Sequence, residues 1–76
     1  MSDRPDFHDY LRYNRRRNYL VLDGKWVTRF PKTLNGRHGA SQMAKNIPGS
    51  VVLNDLSLDE AVQRLDAVWA QTEAVA

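Results

Sequence analysis

The stretch Asn18-Tyr-Leu-Val-Leu-Asp-Gly-Lys-Trp-Val-Thr-Arg-Phe30 decides how this chain is read. Asp23-Gly24 separates two segments in which apolar and polar residues alternate, the pattern of two half-buried strands joined by a tight turn. Asp-Gly suits a type I′ turn, which needs positive φ at both central residues. The segments 17–22 and 25–30 are therefore expected to be strands. That turn sets a register in which Leu22 faces Lys25, Val21 faces Trp26, Leu20 faces Val27, Tyr19 faces Thr28 and Arg17 faces Phe30. One face of the hairpin then carries Tyr19, Val21, Trp26, Thr28 and Phe30; the other carries Leu20, Leu22 and Val27, ringed by Asn18, Lys25 and Arg29. Both faces have apolar content. One covers the core, and the other is either a binding surface or the bed of another helix.

Towards the N-terminus, Phe7, Tyr10, Leu11 and Asn14 occupy an i, i+3, i+4, i+7 spacing and predict a short helix over 3–14. Pro5 suits its first turn, Asp6 complements its dipole and Asn14 is its expected stop. Towards the C-terminus, residues 31–50 are broken by Pro31, Asn35-Gly36, Gly39 and Pro48-Gly49. A long loop and a short helix over 40–46 both fit them. Residues 50–54, Ser-Val-Val-Leu-Asn, read as a third short strand. The strongest signal is the last segment. Ser57-x-x-Glu60 is a capping box, Leu56 can staple against Ala61, and Leu58, Ala61, Val62, Leu65, Val68 and Trp69 trace one face of a helix over about 58–73. Thr72 continues that face. The expected fold is α+β: a small three-stranded antiparallel sheet packed by a C-terminal amphipathic helix, with a short N-terminal helix. Residues 1–76 read as one small domain.

A chain of 76 residues is marginal, burying only about 60% of the surface its unfolded form exposes. There is no cysteine, hence neither a disulfide nor a thiolate metal site. The charged start has no signal-peptide pattern, and no apolar run approaches the ~18 residues of a membrane span. The expected location is the cytoplasm. Net charge is +2, but residues 1–48 hold ten Lys/Arg against four Asp, and residues 49–76 hold one Arg against five Asp/Glu. The two halves either attract each other within the fold, or each faces a separate task.

Catalysis finds little support. His8 and Asp9 are helix neighbours and point apart; His38 lies between Arg37 and Gly39. Two histidines without cysteine make a poor zinc site. Pro5-Asp6 with Asp23-x-Lys25 matches the PD-(D/E)xK nuclease pattern, but Asp23 and Lys25 flank a hairpin turn. No glycine-rich phosphate loop or dinucleotide fingerprint occurs. The reading is a non-enzymatic protein without cofactor or metal.

The basic residues carry the functional expectation. Arg12 and Arg15, Arg16 and Arg17 gather where helix meets strand, and Lys25, Arg29, Lys32 and Arg37 come after them. Arginine offers planar bidentate donors to phosphate, guanine or carboxylate. The hairpin is read as a display element, with Arg15, Arg16, Arg17 and Arg29 making the contact and Lys25 at the tip. The partner is nucleic acid or the acidic protein surface of a nucleoprotein complex. Trp26 and Trp69 are both assigned to the core. Self-association is a further option, with Val68, Trp69, Thr72 and Val75 as the seam of a homodimer.

The order of hairpin, third strand and amphipathic helix over about 18–70 resembles the small sheet-plus-helix DNA-binding domains of integrases and plant ethylene-response factors. Within it, Gly24-Lys-Trp-Val-Thr-Arg-Phe30 is similar to their Lys-Trp-x-x-Arg strand. The 31–49 segment departs from that pattern, which joins strands two and three tightly. The chain is also similar in type to phage-encoded anti-defence proteins, anti-CRISPRs among them: stand-alone, cysteine-free domains of this size. That resemblance implies the alternative function, an inhibitor or adaptor that blocks a protein complex by direct binding.

Overall fold

The computed structural model describes residues 6–75, with side chains through Gln71. It is an α+β fold: α1 (Phe7–Arg17), β1 (Asn18–Asp23), β2 (Trp26–Pro31), α2 (Leu34–Asn46), β3 (Val51–Val52), a 3₁₀ turn (Leu53–Asp55) and α3 (Leu58–Val75). The antiparallel sheet has the order β2-β1-β3, with β1 central. No helix of the described residues is long and apolar enough to cross a membrane.

The hairpin forms, but with its turn one residue later than Asp-Gly. Asp23 pairs with Trp26, so Gly24 and Lys25 are the central residues. Gly24 has φ +59°, and no non-glycine residue among those described has positive φ, so Lys25 is excluded from it. Glycine alone at the first central position is the type II′ arrangement, not type I′. The partners change accordingly: Leu22 faces Val27, Val21 faces Thr28, Leu20 faces Arg29 and Tyr19 faces Phe30. Arg17 faces nothing in the sheet, because it ends α1. The slip is two residues in register, so each side chain keeps the face that alternation gave it.

Both faces are covered. Leu20, Leu22 and Leu53 join Leu11 of α1 and Ala61, Val62 and Leu65 of α3 in one core, with Phe7, Val27, Val51 and Val68 at its margin. On the other face Val21 is fully buried and Ala40 of α2 nearly so. The segment expected to be a loop or a helix over 40–46 is a thirteen-residue helix. Its glycines sit in the helix because the sheet lies so close. A Cβ on Gly36 would overlap the Pro31 carbonyl, and one on Gly39 would stand 3.0 Å from the Phe30 ring. Thr33 caps its start through Gly36 N–H (3.0 Å), and the Ser50 hydroxyl donates to the Ile47 carbonyl (2.7 Å) at its end.

α1 runs three residues past its expected stop. Asp6 caps it, accepting from the amides of His8 (3.0 Å) and Asp9 (3.4 Å). Asn14 is buried within the helix and not at its end; its amide donates to the Tyr10 carbonyl (2.9 Å), which satisfies it locally. The expected start at residues 3–5, including Pro5, lies outside the described residues. β3 is only two residues long, and the Asn54 side chain replaces its missing continuation. Asn54 Oδ1 accepts from Leu20 N–H (2.8 Å), while Nδ2 donates to the carbonyls of Asn18 (3.0 Å) and Arg15 (3.3 Å). Ser57 caps α3, its hydroxyl accepting from Glu60 N–H (3.1 Å).

Candidate nucleic-acid interface

An antiparallel hairpin brings the chain entering its first strand beside the chain leaving its second. Asn18 pairs with Pro31, so the last turn of α1 and the first turn of α2 both lie at the sheet end opposite the turn, one on each face of the sheet. Arg16, Arg17, Lys32 and Arg37 therefore share one end of the molecule, and all four are exposed. Arg12 joins them one helical turn before Arg16. Arg29 is exposed on the edge strand β2, two residues before Pro31. Lys25 sits at the other end; the six-residue strands separate it from this group by roughly 17 Å.

Arg15 takes a different part. It is half-buried, and its guanidinium donates to the carbonyls of Leu56 (2.7 Å) and Asn54 (3.3 Å). With Asn54 reaching back to the Arg15 carbonyl, the pair clasps α1 to the 3₁₀ turn. Of the seven residues that the sequence marks as contacts, five lie towards one end of the sheet, Lys25 stands apart and Arg15 holds the fold.

Two of the gathered cations are stacked on tyrosines. The Arg17 guanidinium lies 3.9 Å from the Tyr13 ring centre, and the Lys32 ammonium 4.4 Å from that of Tyr19. Along the exposed side of α1, Asp9, Arg12, Tyr13, Arg16 and Arg17 line a shallow concavity of about 290 Å³. The i, i+4 pair Arg12–Arg16 puts like charges side by side, which costs a helix a few tenths of a kcal/mol, on the order of 0.2–0.5. No carboxylate among the described residues pairs with Arg12, Arg16, Arg17, Lys32 or Arg37; His8 Nε2 and Asp59 Oδ1 form an ion pair at 3.7 Å. Among the described residues, the opposite charges of the two chain halves thus form no ion pairs with this group. Sequence reasoning misses Tyr13. The i, i+4 spacing Asp9, Tyr13, Arg17 signals it once α1 is extended to residue 17.

The hairpin tip exposes a tryptophan. Trp26, expected in the core, is 69% exposed with the Lys25 ammonium 5.6 Å from its ring. It pairs with Asp23 beside the turn, at the end of the sheet. Trp26, Val27, Phe7, Tyr10, Val68 and Trp69 line a groove of about 510 Å³ between the start of α1, the tip and α3. Trp69 is half-buried, edge-on to Phe7 at 6.3 Å. Of the seam expected for a homodimer, Val68 and Trp69 lie in this groove; the side chains of Thr72 and Val75 are outside those described.

Of the residues in the nuclease pattern, Pro5 lies outside those described. Asp6 caps α1, Asp23 ends β1 and Lys25 is a central residue of the turn. The helix α2 stands where the resemblance to integrase-type domains implies a tight turn. No protein-family model, curated protein or solved structure matches this chain.

Proposed function

We propose that this chain is a small non-catalytic binding module whose basic end contacts nucleic acid, alone or within a nucleoprotein complex. The observation that carries the reading is the gathering of Arg12, Arg16, Arg17, Lys32 and Arg37 at one end, none of them neutralised by a described carboxylate. Cations kept together and unpaired repel one another, and a polyanion removes that repulsion. Phosphate contacts dominate such binding, so affinity falls steeply with salt, by about 0.7–0.9 in log–log slope per contact. Capture of partners from a native lysate by the tagged protein tests it. Nuclease treatment of the lysate abolishes capture on this reading.

A second reading, an inhibitor or adaptor that docks on a protein, is supported by Trp26 and the groove beside it. Exposed tryptophan next to a cation is the composition of binding hot spots. On that reading capture survives nuclease and is lost in Trp26→Ala. A homodimer built on Val68 and Trp69 is the same chemistry turned on a second copy, and sedimentation detects it.

A further inference from the structure

We infer that the basic end takes single-stranded in preference to duplex nucleic acid, with an unpaired base stacked on Tyr13 and the flanking phosphates on Arg12 and Arg16. This deepens the nucleic-acid reading above and rests on it. Three observations converge on Tyr13. It is a large aromatic side chain left 60% exposed in the middle of a cationic surface. The Arg17 guanidinium stacks on one ring face at 3.9 Å and also donates to the Tyr13 carbonyl (3.4 Å), which holds ring and cation as a unit. The exposure that remains lets the other ring face receive a planar group. The ring also lies in the concavity formed with Arg12, Arg16, Arg17 and Asp9.

A duplex gives such a surface little to do. Its bases are stacked on one another, and only phosphates and groove edges are offered. An unpaired base has a free π-face, and stacking on an aromatic ring within a basic groove is how single strands are held without regard to sequence. Asp9 adds direction. It lies one turn before Tyr13 and repels phosphate, so the backbone tracks Arg12 and Arg16 away from it, and the carboxylate is left to accept from a base amino group.

The test compares fluorescent oligothymidine and oligouridine of about 16 nucleotides with a duplex of the same length, by anisotropy. Single strands of either sugar are expected to bind roughly ten-fold or more tightly than the duplex, as one stacked base allows. Tyr13→Leu, on an exposed position where circular dichroism stays unchanged, is expected to lose roughly ten-fold for single strands while keeping the wild-type salt dependence. Tyr13→Phe is expected to keep wild-type affinity. Duplex binding as tight as single-strand binding, or Tyr13→Leu within about two-fold of wild type, overturns the stacking inference while salt-dependent binding leaves the broader reading standing. If neither nucleic acid binds, or Arg16→Ala changes nothing, the broader reading itself falls.

Discussion

Replacing Asn54 by alanine removes a side chain that closes the junction of three elements. Its oxygen holds the Leu20 amide at 2.8 Å, and its nitrogen holds the carbonyls of Asn18 and Arg15 at 3.0 and 3.3 Å. Leu20 is fully buried on the central strand, and β3, paired only at Val51 and Val52, does not extend to it. Each of the two shorter bonds contributes about 0.5–1.5 kcal/mol net, and leaving the Leu20 amide without a partner raises its share to about 1–3 kcal/mol. The longest bond adds least. The expected loss is about 2–4 kcal/mol, a large part of the ~4–11 kcal/mol a domain of this size has in total. Urea unfolding measures it, and amide exchange reports the position: Leu20 should lose protection before its strand neighbours Val21 and Leu22. Asn54→Asp, which keeps the acceptor but sets a carboxylate oxygen against the Asn18 and Arg15 carbonyls, should cost at least as much as alanine. Arg15→Ala opens the same clasp from the other side and should appear as a stability defect with nucleic-acid affinity retained in the folded protein. A change below about 0.5 kcal/mol for Asn54→Ala, with Leu20 still protected, refutes the clasp.

Three further substitutions test the fold. Leu65→Ala, in the core between α3 and the sheet, should cost about 2–5 kcal/mol in denaturant melts. Gly36→Ala gains about 1 kcal/mol of helix propensity, yet the overlap with the Pro31 carbonyl should outweigh it and leave a net loss of stability, read by thermal unfolding. Gly24→Val forces a β-branched residue to φ near +59° and should abolish cross-strand NOEs between Val21 and Thr28 and between Leu22 and Val27.

The elements that alternation and helical periodicity mark are legible in the sequence. The hairpin faces survive a misplaced turn, because a slip of two residues changes partners and leaves faces intact. The Ser57 cap and the stripe Ala61, Val62 and Leu65 agree between sequence and structure, since a capping box and one apolar face describe α3 without tertiary help. α2 is not legible. Gly36 and Gly39 read as breakers, and only the sheet beneath them makes them packing residues. The length of α1 matters most for the site. A helix stopped at Asn14 leaves Arg15, Arg16 and Arg17 as one undivided cluster. Continued to Arg17, it turns Arg15 inward onto Asn54 and Leu56 and sets Arg16 and Arg17 outward beside Tyr13. Trp26 escapes sequence reasoning because strand alternation gives a face, and the extent of the helix covering that face is a tertiary property.

The salt dependence of single-strand binding tests the central claim most directly. Log affinity against log salt, measured between about 50 and 200 mM, should be linear with a slope of about −0.7 per phosphate contact. Joint replacement of Arg16, Arg17, Lys32 and Arg37 by alanine should flatten that slope by about 3 units, whereas Lys25→Ala, at the opposite end of the sheet, should leave it unchanged. A quadruple variant that folds and keeps the wild-type slope contradicts the account: the gathered cations are then a solvated rim and the partner is held elsewhere.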